Sequence, residues 1–266
     1  MSERLNSISL TGVTASLAKA MDITPPAQAE PPIDAIDRLV KKNTAHGKVD
    51  RVFMYNPDAV AMWLYQKYTD FYLPLLDHAK LTLPLRAVMP SVTPVCFGTM
   101  YTGALPEVHG IRTYEKPVIR IDTLFDALLR AGKKCAIVST EGDSLSHIFL
   151  ERDMDYFIYP TVDECTAKAL ELIREDRHDF ILLYNADYDS TMHRYAPEGA
   201  ESLEALKKNI CVFDTIAETI RQHWQDHETL LGFAPDHGCH EIDGGLGSHG
   251  LEMPEDLNIL HFYTVI

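Results

Sequence analysis

The chain has 266 residues, of which 46% are hydrophobic and 24% are charged, a composition typical of a folded globular protein. Its 24 Lys and Arg against 39 Asp and Glu give a formal net charge of −15, which argues against a broad nucleic-acid or anionic-membrane footprint. A small anionic substrate is still compatible with this charge, because bound metal ions can reverse the local field.

The five cysteines are widely spaced and contain no CxxC pair. This pattern favours free thiols in a reducing compartment over a disulfide framework or a zinc ribbon. The N-terminal stretch lacks the basic start and unbroken apolar run of a signal peptide, and no run approaches the ~18–20 apolar residues of a membrane span. We therefore expect a cytoplasmic protein without a membrane partner.

Taken in chain order, residues 1–35 are predicted to form an N-terminal segment, with a short peripheral helix over 1–21 and a proline-rich connector after it. Residues 36–266 are predicted to form a single domain in which strand-like and helical patterns alternate. The predicted strands are 51–56, 134–140, 179–185, 229–235 and 257–263, and the predicted helices are 123–132, 162–176 and 201–224. This alternation predicts an α/β fold, a three-layer αβα sandwich with a mostly parallel central sheet.

Polar clusters follow three of these strands. They comprise Asp58 after the first, Asp187, Asp189 and His193 after the third, and Asp236 and His237 after the fourth. Because ligands bind beyond the carboxyl ends of strands in an open parallel sheet, we expect these side chains to converge. Each cluster also has a plainer interpretation: Asp58 fits a helix N-cap, and Asp189 with His193 fits a surface pair on one helical turn.

The glycine-rich stretch 244–250 adds His249, whereas the other loop histidines, His223, His227 and His240, are predicted to be merely exposed. Carboxylates and imidazoles both suit Zn²⁺, and two such ions ~3.5–4 Å apart form a clamp for phosphoryl transfer. Three aspartates and three histidines are therefore sufficient for two metal ions: Asp58, Asp189, Asp236, His193, His237 and His249.

Thr93 is the candidate nucleophile. Pro94 fits the first position of a helix capped by this threonine, which places its hydroxyl at a helix end where an anionic phosphate is favoured. A simple capping role for Thr93 is an equal alternative. Ser91, Cys96 and Thr99 are rival nucleophiles, although Cys96 is better explained as a buried thiol.

These motifs resemble the alkaline phosphatase superfamily, and in particular its nucleotide pyrophosphatase/phosphodiesterase-like branch. Thr93 is followed by Thr102-Gly103 and by LPEVHGI at 105–111, and the segments DSTMHRYAP, APDHG and GSHG follow in the order of that branch. The resemblance extends from residue 51 to the last residue. It implies an alkaline-phosphatase-like core, and the short spacings between motifs leave no room for a large cap.

The resemblance implies a two-metal site. Asp58, Thr93, Asp236 and His237 would hold one ion, and Asp189, His193 and His249 would hold the other. Zn²⁺ fits this ligand set best, although Mn²⁺, Fe²⁺ and Co²⁺ also suit it. Thr93 would attack phosphorus to form a phospho-threonine, which water would then hydrolyse.

The implied activity is hydrolysis of a small phosphorylated substrate, through phosphodiester or nucleotide pyrophosphate bonds. The alternatives are a phosphomonoesterase, a phosphonate hydrolase, or a non-catalytic relative that binds metal or phosphate. The oligomeric state is open.

Two departures from the branch concern phosphate recognition. Pro94 has no N–H, so backbone donors must come from Thr93, Val95 or Cys96. The branch often has an asparagine shortly after the HGI motif, and this chain has none there. Arg112, Tyr114 and Lys116 follow the motif instead and are the candidate substrate-binding residues.

Overall fold

A computed structural model describes residues 4–266 of the chain. Its strands are β1 (Arg51–Pro57), β2 (Leu81–Arg86), β3 (Cys135–Thr140), β4 (Asp155–Tyr159), β5 (Phe180–Asn185), β6 (Thr229–Phe233), β7 (His240–Ile242), β8 (Leu246–Ser248) and β9 (Asn258–Val265). Its α-helices are α1 (Gly12–Ala20), α2 (Asp34–Asn43), α3 (Met62–Lys67), α4 (Leu73–Leu76), α5 (Thr93–Thr102), α6 (Pro106–His109), α7 (Leu124–Arg130), α8 (Leu145–Ile148), α9 (Val162–Glu175), α10 (Asp187–Tyr195), α11 (Ala200–His223) and α12 (Pro254–Leu257). A 3₁₀ turn covers Thr69–Tyr72.

Seven strands form one sheet in the order β2-β9-β6-β1-β5-β3-β4, and β7 and β8 form a separate hairpin. In the seven-stranded sheet, β9 pairs antiparallel with both of its neighbours, and the other neighbouring strands pair in parallel. The predicted α/β class with a mostly parallel central sheet is confirmed. Strand β1, which carries the first polar cluster, lies between β5 and β6, which carry the other two.

Helices cover both faces of the sheet. Successive residues of a strand point to opposite faces, and the central strands are apolar at both sets of positions, so both faces are buried. Val52 and Met54 of β1 belong to one buried cluster, together with residues of α1, α2, α5 and α7. Phe53 and Tyr55 belong to a second cluster, together with residues of α3, α9 and α11. The architecture is therefore the predicted three-layer sandwich.

The N-terminal helix is part of this core. Every residue of α1 except Lys19 is buried, and the Thr14 hydroxyl donates to the Met100 carbonyl of α5 at 2.6 Å. The prediction that this helix is peripheral is therefore wrong, although its first three predicted residues lie outside the described part of the chain. The division of the chain at residue 35 stays a prediction.

No helix between residues 4 and 266 is both long enough and apolar enough to cross a membrane.

Candidate active site

The three polar clusters meet at the carboxyl edge of the sheet. Asp58 follows β1, and its amide donates to the carbonyl of Asn185 at the end of β5, 2.9 Å away. Asp236 and His237 follow β6 on the other side of β1. Helix α10 begins directly after β5 and carries Asp189 and His193 one turn apart. Chemistry-bearing residues that are distant in sequence are therefore neighbours in space.

The first cluster consists of Asp58, Asp236 and His237, all three fully buried. His237 Nε2 lies 3.4 Å from Asp58 Oδ1 and 3.4 Å from Asp236 Oδ2. Two carboxylates and one imidazole thus point at a common centre, as the ligands of a divalent cation do.

The second cluster consists of Asp189, His193 and His249. Asp189 Oδ1 lies 3.3 Å from His193 Nε2 and 3.4 Å from His249 Nε2, and the two imidazole nitrogens are 3.2 Å apart. The rings of His249 and His237 face each other with their centroids 4.2 Å apart, so the two clusters adjoin.

Each of the three histidines is anchored through its other ring nitrogen. The Nδ1 atoms of His193, His237 and His249 lie 2.9 Å from the carbonyl oxygens of Gly247, Gly238 and Ser91 respectively. A carbonyl oxygen accepts a hydrogen bond, so each contact places the ring proton on Nδ1. The Nε2 atom of each ring then has a free lone pair and can act as the ligand atom. Ligating histidines are commonly oriented in this way.

Three buried carboxylate oxygens, one in each aspartate of the two clusters, test whether the site suits metal ions. Asp58 Oδ1, Asp189 Oδ1 and Asp236 Oδ2 have no hydrogen-bond partner within residues 4–266. Leaving such an oxygen unpaired costs about 1–3 kcal/mol, and more when it is charged. These are the atoms that face the imidazole Nε2 atoms, so two divalent cations would satisfy the site's unpaired acceptors.

The pKa values of the first cluster also favour a bound cation. Burial raises the pKa of Asp58 to about 7 and holds that of Asp236 well above its ordinary value. Burial also lowers the pKa of His237 to about 3, so the imidazole is neutral and its Nε2 lone pair is free. A bound cation would favour the ionised carboxylates that burial alone disfavours.

In the second cluster the carboxylate–imidazole contacts prevail over burial. Burial alone would raise the pKa of Asp189, but His193 and His249 hold it well below its usual range. Asp189 in turn raises the pKa of both histidines, that of His249 against the effect of burial.

Thr93 lies against the first cluster. Its hydroxyl donates to Asp58 Oδ2 at 3.1 Å and lies 3.5 Å from His237 Nε2. Thr93 is the first residue of α5 and Val92 is its N-cap, so the predicted helix start is wrong by one residue. The Thr93 side chain makes contacts in the site, which disfavours the simple capping interpretation.

The rival nucleophiles are engaged elsewhere. The Thr99 hydroxyl contacts His109 Nε2 at 3.0 Å, and the Ser91 hydroxyl points to the Leu251 carbonyl at 3.5 Å. The Cys96 thiol is buried, and burial holds its pKa well above its ordinary value.

Of the backbone donors considered at the start of α5, two are already used. The amides of Val95 and Cys96 both donate to the Val92 carbonyl, at 3.1 and 3.0 Å. The amide of Thr93 is therefore the candidate for a phosphate contact among the three.

The three candidate substrate-binding residues are placed differently. Arg112 donates to the carbonyl of Glu107 in α6 at 3.3 Å. Lys116 donates to the Gly142 carbonyl at 2.7 Å, and its ammonium stands 5.3 Å from the Tyr114 ring centroid. Burial, followed by the charges of aspartates that include Asp58, Asp189 and Asp236, raises the pKa of Tyr114.

Sequence reasoning missed two residues of the site. Tyr184, near the end of β5, is buried and its hydroxyl donates to Asp58 Oδ2. A tyrosine in a buried strand needs a partner for its hydroxyl, which was the available signal. Asp143 follows β3, beside β5, and burial together with the charges of Asp189 and Asp187 raises its pKa to about 7.

Some of the predictions of a simple capping role or of an exposed position are also wrong. Asp58 does not cap a helix, since α3 begins at Met62 with Ala61 as its N-cap. His240 is buried and contacts Asp256 Oδ1 through Nδ1 at 2.7 Å, and His227 contacts Asp176 at 3.0 Å. His223 is exposed as predicted.

No model of a known protein family matches the chain. A venom phosphodiesterase of Crotalus durissus collilineatus is 28% identical over 190 residues, which cover 62% of this chain and 22% of that protein. Venom phosphodiesterase 2 of Crotalus adamanteus is 26% identical over 191 residues, 62% of this chain and 23% of that protein. The match thus spans about a fifth of the length of these curated relatives.

Solved structures show a similar fold. The murine ectonucleotide pyrophosphatase/phosphodiesterase 5, inactive and in complex with AMP, has a TM-score of 0.60 at 15% identity over 73% of this chain and 59% of that one. Phosphonoacetate hydrolase of Sinorhizobium meliloti, in complex with phosphonoformate, has a TM-score of 0.54 at 18% identity over 74% and 59%.

The C-terminal periplasmic domain of phosphoethanolamine transferase EptC of Campylobacter jejuni covers more of this chain. It has a TM-score of 0.59 at 12% identity over 81% of this chain and 79% of that one. The seven-stranded sheet and its flanking helices are thus shared with proteins of related architecture.

Proposed function

We propose that this chain, which has the fold of the alkaline phosphatase superfamily, hydrolyses phosphate esters with the help of two divalent cations. The observation that carries the proposal is the position of Thr93. Its hydroxyl contacts Asp58 and His237 at the first of two adjoining clusters whose buried carboxylates have unpaired oxygens. A nucleophile beside two cation sites is the arrangement that in-line phosphoryl transfer requires.

Each cluster would hold one cation, the first through Asp58, Asp236, His237 and the Thr93 hydroxyl, and the second through Asp189, His193 and His249. We propose Zn²⁺, since neutral imidazoles and carboxylates in sets of three or four are its usual ligands. Two such cations supply neutralisation of the phosphate charge and lower the pKa of a hydroxyl or water at the site.

The chain's own residues orient the nucleophile. The Thr93 proton points to Asp58 Oδ2, and the Tyr184 hydroxyl donates to the same oxygen and fixes the carboxylate in place. The Thr93 hydroxyl would lose its proton to solvent, and its oxygen would form a bond to phosphorus as the bond to the leaving alkoxide or phosphate breaks. The leaving group would take up a proton from solvent. Water would then release phosphate or a phosphate monoester from the phospho-threonine.

We further propose that phosphodiesters or nucleotide pyrophosphates are the substrates. The weak sequence similarity is to venom phosphodiesterases, which supports this choice.

A phosphomonoesterase or phosphonate hydrolase is the second candidate. Lys116 lies close enough to Asp143 to lower its pKa, and an ammonium at the rim could hold the extra charge of a monoester or phosphonate. The structural similarity to phosphonoacetate hydrolase is consistent with it.

The test is hydrolysis of bis-p-nitrophenyl phosphate against p-nitrophenyl phosphate by zinc-reconstituted protein, each with a chelator control. We expect faster cleavage of the diester and loss of both activities with the chelator. Faster cleavage of the monoester would favour the second candidate. Silence on both substrates, with two ions bound, would favour a non-catalytic relative.

A cytoplasmic location is likewise a proposal. It is supported by the five cysteines, all of them free in the structure and four of them buried. Fractionation of the source cells tests it.

A further inference from the structure

The hairpin of β7 and β8 is the element around which the histidine ligands are arranged. Two residues separate His237 from the start of the first strand, and His249 directly follows the second strand. The carbonyl of Gly247, inside β8, accepts from His193 Nδ1 at 2.9 Å. The hairpin is therefore connected to all three imidazoles of the two clusters.

Asp256, at the third position of α12, holds both legs of this hairpin. Its Oδ1 contacts His240 Nδ1 at 2.7 Å, at the first residue of β7, and its Oδ2 accepts from the Leu251 amide at 2.8 Å, beyond β8. Its carbonyl also accepts from the Gly238 amide at 2.7 Å, next to His237. Asp256 is fully buried.

The space around the hairpin leaves little freedom for a shift. A Cβ on Gly238 would lie 2.0 Å from the Glu255 carbonyl oxygen, and a Cβ on Gly247 would lie 2.5 Å from the Met192 carbonyl oxygen. The start of the hairpin thus packs directly on the residue before Asp256, and its end packs directly on α10. Both contacts are backbone to backbone, and neither neighbour can rotate away.

We propose that Asp256 is a positioning residue. By hydrogen-bonding to both legs of the hairpin, it keeps the residues of the two clusters at fixed positions relative to each other. The inference rests on the proposed function, since it requires that both clusters bind cations. The side chain of Asp256 hydrogen-bonds to none of the seven proposed ligands, the Thr93 hydroxyl included. It acts through His240 and the Leu251 amide on the segments that carry His237 and His249.

Leucine at this position keeps the branched shape of the side chain and removes both acceptor oxygens. We therefore expect Asp256→Leu to release both legs, since neither the His240 N–H nor the Leu251 amide keeps its partner. His240→Phe keeps a ring but has no N–H, so it releases the β7 leg alone and leaves the bond between Asp256 and the Leu251 amide.

Asp155→Leu is the control. Asp155 Oδ2 contacts His178 Nε2 at 2.8 Å, the same kind of carboxylate–imidazole pair, at the start of β4 and thus at the opposite edge of the sheet. Its loss tests the effect of removing such a pair without touching the hairpin.

The experiment is a zinc competition titration of each folded variant against a chromophoric chelator, which needs no turnover. Loss of residues that orient metal ligands typically lowers metal affinity by about 10–100-fold. We expect Asp256→Leu to lower both affinities by such a factor, His240→Phe to lower one more than the other, and Asp155→Leu to change neither.

Two bound ions with wild-type affinities in Asp256→Leu would overturn the inference and leave the proposed function intact. Fewer than two ions bound by the wild-type chain would overturn the proposed function, and the inference with it. If Asp256→Leu does not fold, unchanged affinities in folded His240→Phe would overturn the inference.

Discussion

The two clusters differ in what holds their ligands. In the first, Asp58 and Asp236 follow adjacent central strands, and the side chains of Asp58 and His237 are 1% and 0% exposed. In the second, His193 is 42% exposed and lies on a helix, and His249 lies in the segment after a hairpin. The sheet fixes the first cluster, whereas the packing of α10 against the hairpin fixes the second.

The same difference governs the charges. Burial sets the pKa values of Asp58 and Asp236 in the first cluster. Their carboxylates have no positively charged partner when no cation is bound. In the second cluster, His193 and His249 hold the pKa of Asp189 low, so its carboxylate stays ionised without a cation. We infer that the first cluster is rigid and depends on a cation for its charge balance, and that the second is more adjustable and more tolerant of a vacant site.

The largest expected effect separates chemistry from metal binding at the rigid cluster. Thr93→Ala removes the nucleophile, and we expect turnover of a diester to fall by about a thousandfold or more, as losses of a catalytic nucleophile do. Zinc content should stay at two ions, because Thr93 supplies only one of the contacts. Thr93→Ser, which keeps the hydroxyl, should retain part of the activity. Full turnover in Thr93→Ala would contradict the assignment.

His249→Ala tests whether the clusters are distinct. It removes one of three ligands from the second cluster and none from the first, so we expect one zinc affinity to fall by about 100-fold or more and the other to change less. Calorimetric titration with zinc measures both. Equal loss of both ions would contradict the partition of ligands.

Asp58→Asn tests the charge imbalance of the first cluster. A carboxyl whose pKa is about 7 in the folded chain and near 3.8 when unfolded binds more protons when folded. Without metal, stability should therefore fall as pH rises from about 4 to 7, and added zinc should restore it.

The asparagine variant keeps an acceptor for Tyr184 but cannot ionise. We expect it to stabilise the metal-free chain at pH 7 by about 1–3 kcal/mol, the cost of an unpaired buried polar group, and to weaken one zinc site. Denaturant unfolding with and without chelator measures this. A metal-free variant less stable than the wild type at pH 7 would show that Asp58 is not strained by burial.

Gly247→Ala gives the smallest expected effect and is confined to the adjustable cluster. The new Cβ would press on the Met192 carbonyl, shift β8 and move the acceptor of His193. We expect about a tenfold loss of affinity at one zinc site and little change at the other. Ser248→Ala, the next residue of the strand, is the control. Loss at both sites would show that the second cluster is not independently adjustable.

The sequence predicted the central sheet because its strands are buried on both faces and read as continuous apolar runs. Edge strand β4 escaped notice, since its residues are only partly buried and its pattern is mixed. The short strands of the hairpin escaped because a glycine-rich run carries no periodicity.

The six residues that form the two clusters could be identified from the sequence, since each follows a strand or lies in an ordered motif, and their role as metal ligands stays a prediction. Their supports could not. Tyr184 is 126 residues from Asp58, and Asp256 acts on His240 from 16 residues away across a hairpin that no sequence pattern predicts. The N-cap interpretation of Asp58 failed for the same reason: its partners are brought by the sheet, not by the next helix.

Turnover of bis-p-nitrophenyl phosphate by metal-free protein, measured as zinc is added in known equivalents, tests the central claim most directly. Two clusters that act together predict that activity rises until two equivalents are bound and then levels off, and that a chelator reverses it. Full activity at one equivalent, or in the presence of the chelator, would contradict a two-cation site.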